Sequence, residues 1–274
     1  MPTTTVNGLR CFFVDEGHGT PVVLLHGFPD TSFLWRHQIP ALVGAGFRAI
    51  APDLRGRGQS DKPERVEDYR LSAILTDVAG LMDALGIERA HVVGHDWGAP
   101  LAWILAALLP QRVDRLVAIS VGHPAAMAHP TLEQLQKSWY YLLFAIPGLA
   151  EAALQKDAWH LLREFLQGSG DIERYFQDLS EPNALTAALN WYRANVPPER
   201  FLAPPSRLPA VQAPTLGIFS TGDNYLTEEA MVRSAEHVTG PWRYERLAGV
   251  SHWIPTEAAD WLNGQLLGFL EPTY

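Results

Sequence analysis

Short runs of apolar residues, bounded by glycine and proline, recur through the first 120 residues of the chain. Val22–Leu25 is typical, because it has no polar alternation and therefore resembles a strand buried on both faces. Segments with helical periodicity separate the runs. This alternation predicts a mostly parallel sheet with helices on both faces. The predicted strands are Cys11–Val14, Val22–Leu25, Arg48–Ala51, His91–Val93 and Leu116–Ser120, and the predicted helices are Leu34–Val43, Ser72–Leu85 and Ala99–Leu109.

The strand signal stops at about residue 125 and resumes after residue 210. Apolar residues within this interval recur at steps of three and four, which predicts a helix that packs one apolar face. They are Leu132, Leu135, Trp139, Leu142 and Ile146. Prolines between Pro197 and Pro209 favour a stiff connector. Strands at 215–219 and 242–247 then alternate with helices at 228–237 and 257–270. The pattern predicts an all-helical insert, residues 125–210, in an α/β core made of residues 1–124 and 211–274.

Composition narrows the possible functions. The chain has 274 residues, of which 47% are hydrophobic and 19% charged, so a disordered chain is excluded. The net charge of −9 argues against nucleic acid or an anionic membrane as the main partner. Cys11 is the only cysteine, which excludes an internal disulfide and a cysteine metal cluster. We find neither a secretory signal nor an apolar run long enough to cross a bilayer, and we expect a soluble cytoplasmic protein.

The strongest chemical signal lies between a predicted strand and the helix that follows it. Asp96 is flanked two positions away on each side by Gly94 and Gly98, as in a nucleophile elbow. Many hydrolases have serine at this position. A carboxylate instead attacks saturated carbon directly and gives an alkyl ester, which water must then cleave with the help of a general base and an oxyanion site. The alternative, a helix-capping aspartate, does not require the flanking glycines.

Two later residues are candidates for the base and for the acid that orients it. His252 lies on the loop between the last predicted strand and the last helix, and Asp223 follows the preceding strand. The carboxyl ends of parallel strands are where such sheets carry functional loops. In this interpretation Asp223 fixes the imidazole tautomer and His252 accepts a proton from water. Taken singly, Asp223 also fits a turn residue and His252 a surface-loop histidine.

Three segments together resemble the epoxide hydrolases of the α/β-hydrolase fold: His26–Pro29, Asp53–Pro63 and the elbow that carries Asp96. The resemblance covers nearly the whole chain. It implies a mostly parallel eight-stranded sheet, with the helical insert as a cap over the site. It also implies an oxyanion hole formed by the backbone amides of Phe28 and Trp97, which follow His-Gly and the nucleophile.

This family protonates the epoxide oxygen with two tyrosines of the cap, which the resemblance places at Tyr192 and Tyr140. Tyr192 lies in an unaltered Asn-Trp-Tyr-Arg run. Spacing alone does not separate Tyr140 from Tyr141, and the resemblance selects Tyr140. The alternative for each is a tyrosine packed in a helical core. We expect an aromatic substrate pocket lined by Phe28, Trp97, Trp139, Trp191 and Trp253.

The chain is therefore expected to be a hydrolase acting on ether bonds, converting an apolar epoxide and water to a vicinal diol. No zinc-protease, phosphate-loop or dinucleotide pattern occurs, so neither a metal nor a cofactor is implied. The sequence leaves open whether the protein forms a homodimer. The alternative function is a haloalkane dehalogenase, in which Trp97 would donate its indole hydrogen to the halide. Dehalogenases often have, as the second halide donor, either an asparagine after His-Gly or a tryptophan of the cap. Phe28 occupies the asparagine position here, but Trp139, Trp159 and Trp191 leave a tryptophan donor possible. A non-catalytic binding module would be expected to lack part of the Asp96, Asp223 and His252 set.

Overall fold

The computed structural model describes residues 2–128, 130–199 and 207–271. Within these ranges eight strands form one sheet in the order β1-β2-β4-β3-β5-β6-β7-β8. The first two pairs, β1 with β2 and β2 with β4, are antiparallel, and all the other neighbours are parallel. The strands are β1 Thr3–Val6, β2 Leu9–Gly17, β3 Pro21–Leu25, β4 Arg48–Pro52, β5 Ala90–His95, β6 Val113–Ile119, β7 Thr215–Ser220 and β8 Trp242–Leu247.

The mostly parallel eight-stranded α/β fold is thus confirmed. Its central strands are fully buried along most of their length, which agrees with their uninterrupted apolar sequences. The sequence pattern did not predict β1, whose Thr-Thr-Thr-Val sequence lies at the sheet edge and is largely exposed. An edge strand of this kind lacks the apolar run that marks the buried strands.

Helices of the α/β core surround the sheet in contacting pairs: α1 packs beside α11, and α2 beside α3. Helix α3 starts directly after β5, and α10 and α11 follow β8. The core helices are α1 Gln38–Gly44, α2 Leu71–Ala84, α3 Gly98–Leu108, α9 Glu228–Arg233, α10 Ile254–Glu257 and α11 Ala259–Leu270. Among the described residues, no helix combines the length and the apolar character needed to cross a membrane.

Between β6 and β7 the described residues form helices and loops, which we call the helical segment (residues 126–195). One of these helices, α6, is interrupted at Lys156–Trp159, where three residues have positive φ. The predicted proline connector, which includes Pro204 and Pro205, lies partly outside the described residues. The helices are α4 Leu132–Lys137, α5 Tyr140–Phe144, α6 Leu149–Phe165, α7 Ile172–Ser180 and α8 Ala184–Asn195.

The prediction that the apolar stripe of residues 132–146 packs inward is wrong. The stripe is exposed, with Leu132 at 72%, Leu142 at 58% and Trp139 at 49% of full accessibility. The predicted helix is interrupted between α4 and α5, and the buried residues lie on the face opposite the stripe. That face carries Gln134 and Tyr140, and the Gln134 side chain bonds to the backbone near β7. Periodicity therefore identified an amphipathic pattern here but assigned the wrong face to the interior.

Candidate active site

The sharp turn after β5 determines where the Asp96 side chain lies. Asp96 has φ +50°, a left-handed conformation that costs a non-glycine residue about 1–3 kcal/mol. A Cβ atom at Gly94 would collide with the backbone of Gly98, and one at Gly98 with the carbonyl oxygen of Leu25. Gly94 therefore permits the tight turn from β5 into α3, and Gly98 lets the start of α3 lie against the end of β3, so that Asp96 is presented at the carboxyl end of the sheet.

The Asp96 carboxylate is held from two sides. Its Oδ1 accepts a hydrogen bond of 2.6 Å from the Phe28 amide, and its Oδ2 lies 3.5 Å from Nε2 of His252. Burial alone would raise the pKa of Asp96, but His252 and the Phe28 amide outweigh burial and hold it below its usual value. Asp96 is thus ionised at neutral pH, with Oδ2 not engaged by the amide.

His252 lies between two carboxylates. Its Nδ1 is 2.7 Å from Oδ2 of Asp223, whose Oδ1 accepts hydrogen bonds from the amides of Tyr225 and Leu226. Burial would lower the pKa of His252, but the charges of Asp223 and Asp96 oppose burial and raise it to about 10. The imidazole is therefore protonated while both carboxylates are charged.

The structure brings the two predicted amides to the Asp96 turn. Phe28 follows β3 and its amide contacts the carboxylate directly. Trp97 lies at the start of α3, where first-turn amides have no partner within the helix. Across the residues that the structure describes, the Trp97 amide donates no hydrogen bond. The Phe28 amide thus faces the Asp96 carboxylate, and the Trp97 amide belongs to the residue that directly follows Asp96 at the start of α3.

Tyr140 and Tyr192 lie together over Asp96, although they come from different helices. Their ring centroids are 5.8 Å apart, both side chains are buried, and both line the same cavity as Asp96. The Tyr192 ring meets the Trp97 ring edge-on at 5.1 Å. Burial holds the pKa of both phenols well above its ordinary value, with the Asp96 charge acting in the same direction. Both hydroxyls therefore retain their protons at neutral pH.

The cavity has a volume of about 250 Å³, and most of its wall is apolar. The wall comes from the core and from the helical segment, and its polar side chains besides Asp96 and the tyrosines are Gln134, Ser138 and Asn195. Apolar lining residues include Leu71, Pro100, Val121, Pro124, Met127, Pro130, Leu135, Val196, Pro197 and Leu226. Such a wall favours a ligand without charge.

Of the five aromatic residues predicted to line the pocket, Trp97 lies in the wall of this cavity, and the structure places the other four outside its lining. Phe28 lies behind the tyrosines, with its ring 5.5 Å from that of Tyr192. Trp139 lies half exposed on the outer stripe. Trp191 is buried and its indole donates a 3.0 Å hydrogen bond to the carbonyl of Arg55, and Trp253 is buried beside the His252 ring.

Three residues that the sequence interpretation did not assign to the site adjoin it. Tyr141 and Tyr225 line the cavity, and the Tyr225 ring lies 5.2 Å from that of His252. Their positions next to Tyr140 and shortly after Asp223 were the available signals. Asp30 directly follows the His-Gly-Phe-Pro run; it is buried, accepts a 2.6 Å hydrogen bond from the Tyr175 hydroxyl, and burial raises its pKa to about 7.

Two buried histidines near the site have structural partners. His26 Nε2 accepts a hydrogen bond from the Leu54 amide, and burial lowers its pKa to about 3. His95 Nε2 lies 2.9 Å from the carbonyl oxygen of His252, and burial lowers its pKa to about 4. Both rings are therefore neutral and connect loops to one another.

In the described part of the chain, no group of three or more acidic, histidine or cysteine side chains could hold a metal ion.

Comparison with known proteins places this chain in a family. The sequence profile of the alpha/beta hydrolase fold matches residues 20–259. The chain belongs to the α/β-hydrolase family. Epoxide hydrolase A of Mycobacterium tuberculosis is 35% identical over 96% of this chain and 95% of its own length. Epoxide hydrolase 4 of Mus musculus is 32% identical over 97% of this chain and 77% of its own length.

Solved structures agree with this placement. The crystal structure of epoxide hydrolase A from Mycobacterium thermoresistibile superimposes on this α/β-hydrolase with a TM-score of 0.84 and 30% identity, covering 98% of this chain and 97% of the other. The resemblance to epoxide hydrolases that the motifs predicted is therefore confirmed.

Proposed function

We propose that this α/β-hydrolase is an epoxide hydrolase that converts an apolar epoxide to a vicinal diol through an ester on Asp96. One observation above all supports the proposal: two protonated tyrosines, Tyr140 and Tyr192, share a largely apolar cavity with an ionised carboxylate. A carboxylate can open an epoxide only if the oxygen that leaves receives a proton, and these two hydroxyls are placed to supply it. The names of the relatives support the same reaction.

In the first step Asp96 Oδ2 attacks the less hindered ring carbon. A carbon–oxygen bond to Asp96 forms while the carbon–oxygen bond of the ring breaks. Tyr140 and Tyr192 hydrogen-bond to the departing oxygen, and one of them transfers its proton to it. Formation of the ester removes the Asp96 charge, so His252 loses one of the two carboxylates that hold its proton. His252 then donates its proton to the tyrosinate, which restores the phenol and leaves the imidazole neutral.

In the second step neutral His252, oriented by Asp223, takes a proton from water as the water oxygen attacks the Asp96 carboxyl carbon. The amides of Phe28 and Trp97 stabilise the oxyanion. When the tetrahedral intermediate collapses, the ester bond breaks and the second water proton ends on the diol oxygen. Asp96 is again ionised and His252 protonated, so water is the only co-substrate required.

We further propose that the helical segment belongs to a cap domain, residues 125–210, over a core formed by residues 1–124 and 211–274. In support, the helical segment contacts loops at the carboxyl ends of several strands. Trp191 bonds to the loop after β4, and Lys137 donates a 2.7 Å hydrogen bond to the Asp223 carbonyl after β7. The acidic charge and lone cysteine support a cytoplasmic location, as predicted from the sequence.

The pH dependence should differ between the two steps. Ester formation needs ionised Asp96 and is expected to vary little between pH 6 and 9. Ester hydrolysis needs neutral His252, so its rate should rise with pH and level off above the pKa of His252 in the ester. That pKa should lie clearly below the value of about 10 that applies while Asp96 is charged. Stopped-flow tryptophan fluorescence in single turnovers would separate the steps. A hydrolysis rate that falls as pH rises through this range would contradict the assignment.

The positions of the tryptophans disfavour the haloalkane dehalogenase alternative. A halide site needs a second hydrogen-bond donor beside Trp97, but the Trp191 indole already donates its hydrogen bond to the carbonyl of Arg55. Trp139 lies on the exposed stripe, and Trp159 stacks on Phe176 with centroids 5.5 Å apart. A departing halide needs no proton, so the paired tyrosines would have no role as proton donors in a dehalogenase.

A substrate panel tests the proposed function. Wild-type protein would be given styrene oxide, 1,2-epoxyhexane, 1-chlorohexane and 1-bromohexane, with diol and free halide measured in parallel. Asp96→Asn serves as the control for background hydrolysis. We expect diol from the epoxides and no halide above that control. Halide release that exceeds diol formation would instead support the dehalogenase.

A further inference from the structure

A buried ion pair lies directly behind the two tyrosines. Arg193, the neighbour of Tyr192, binds Glu151 through two hydrogen bonds of 2.9 Å, one to each carboxylate oxygen. The two side chains retain only 5% and 16% of their accessible surface. A two-pronged pair of this kind fixes orientation as well as distance.

The pair joins three helices of the helical segment. Arg193 Nε donates a 3.0 Å hydrogen bond to the carbonyl of Phe144, the last residue of α5. Glu151 lies in the first turn of α6, where its carboxylate also accepts from the Gly148 amide at 2.8 Å. On α8, the Thr186 hydroxyl donates to the same carboxylate at 3.0 Å. Both charged groups are thus well supplied with partners despite their burial.

The two tyrosine-bearing helices differ in their other supports. Helix α8 is fixed to the core by the Trp191 indole and by Asn195, which bonds to the Tyr69 carbonyl and the Leu71 amide. Helix α5 has five residues, too few to be stable alone, and its terminal carbonyls need partners from elsewhere. The Arg193 bond to Phe144 supplies one of them. The place of Tyr140 therefore depends on the ion pair more than that of Tyr192 does.

We propose that Glu151 and Arg193 are positioning residues that hold Tyr140 at its distance from Tyr192. The Phe144 ring, packed against both tyrosines at 5.4 and 5.0 Å, transmits the same constraint through side chains. This inference rests on the proposed function, because it concerns the tyrosines as proton donors. Displacement of Tyr140 should slow epoxide opening. It should leave cleavage of the Asp96 ester unaffected, since the ester is cleaved by water that His252 activates.

Glu151→Gln keeps the shape of the side chain and removes its charge. In single turnovers with styrene oxide, we expect ester formation to slow by about 10- to 100-fold, the range that a misplacement of about 1 Å produces. Ester hydrolysis should change by less than about twofold. Asp15→Asn is the matched control, because Asp15 forms a two-pronged pair with Arg48 that joins β2 to β4 and, among the residues that the structure describes, makes no hydrogen bond to the helical segment. It should leave ester formation unchanged.

A double-mutant cycle separates positioning from general stability. In a Tyr140→Phe background, Glu151→Gln should have little further effect on ester formation, because the group it positions is already absent. Arg193→Lys, which keeps the charge but loses the Nε bond to Phe144, is the second variant if Glu151→Gln does not fold. Equal slowing of both steps, or an undiminished effect in the Tyr140→Phe background, would overturn the inference. Absence of diol from wild-type protein would instead refute the proposed function itself.

Discussion

Replacement of His252 with Gln is expected to stop the reaction after its first half and leave the substrate attached to Asp96. Gln can hold a water molecule by hydrogen bonds but cannot accept its proton, so ester hydrolysis should slow by about 10²- to 10⁴-fold. Ester formation does not use His252 as a base and should persist. Intact-protein mass after incubation with styrene oxide should increase by the mass of one epoxide.

Peptide mapping should place that added mass on the peptide containing Asp96. The double variant Asp96→Asn, His252→Gln is the matched control and should show no adduct. Thermal unfolding of each variant would show that the protein remains folded. An unchanged mass together with undiminished turnover would disprove the role given to His252.

The Tyr140→Phe, Tyr192→Phe double variant should lose epoxide opening almost completely. Without either hydroxyl the departing oxygen would leave as an alkoxide inside a largely apolar cavity, where unpaired charge is strongly disfavoured. We expect ester formation to slow by about 10³-fold or more, and each single variant by about 10- to 100-fold. Rapid-quench measurement of the ester in a His252→Gln background isolates this step.

Tyr141→Phe is the control for the tyrosine pair, because Tyr141 lines the same cavity but is not assigned as a donor. It should change ester formation by less than about threefold. If Tyr141→Phe slowed this step as much as Tyr140→Phe, the second donor would have to be reassigned. Normal opening by the Tyr140→Phe, Tyr192→Phe variant would refute the proton-donor role altogether.

The α/β core and the placement of Asp96, Asp223 and His252 could be predicted because local sequence determines both. Buried parallel strands have continuous apolar runs, and their carboxyl ends meet at one edge of the sheet. The Gly94 requirement is equally local, since a Cβ there would meet the backbone of Gly98, whereas Gly98 is required by the backbone of Leu25 at the end of β3. Three residues separated by up to 156 positions could therefore be assigned to one site from the sequence.

The helical segment was harder to predict because its packing depends on long-range contacts. The stripe that includes Leu132 and Trp139 has the periodicity of a buried face, yet it faces outward. The inner face instead uses Gln134, whose amide is satisfied by backbone groups near β7 that lie about 90 residues away along the chain. Periodicity reports that a helix has two faces but does not say which one meets the core.

Pocket walls were unpredictable for the same reason. Trp191 and Phe28 are aromatic and close to the site, but Trp191 is turned toward the Arg55 carbonyl and Phe28 lies behind Tyr192. Spacing alone also left Tyr140 and Tyr141 equivalent, and both line the cavity. Proximity in sequence to a functional motif therefore identified the region of the site but not the orientation of each ring.

Oxygen isotope labelling in a single turnover tests the central claim, nucleophilic attack by Asp96, most directly. Enzyme in excess over epoxide would react once in water enriched in oxygen-18. If water attacks the Asp96 carboxyl carbon, the first diol formed carries no label, and the Asp96 peptide gains one oxygen-18 atom. Oxygen-18 in the first diol, with an unlabelled Asp96 peptide, would mean that water attacks the epoxide itself and would contradict the account.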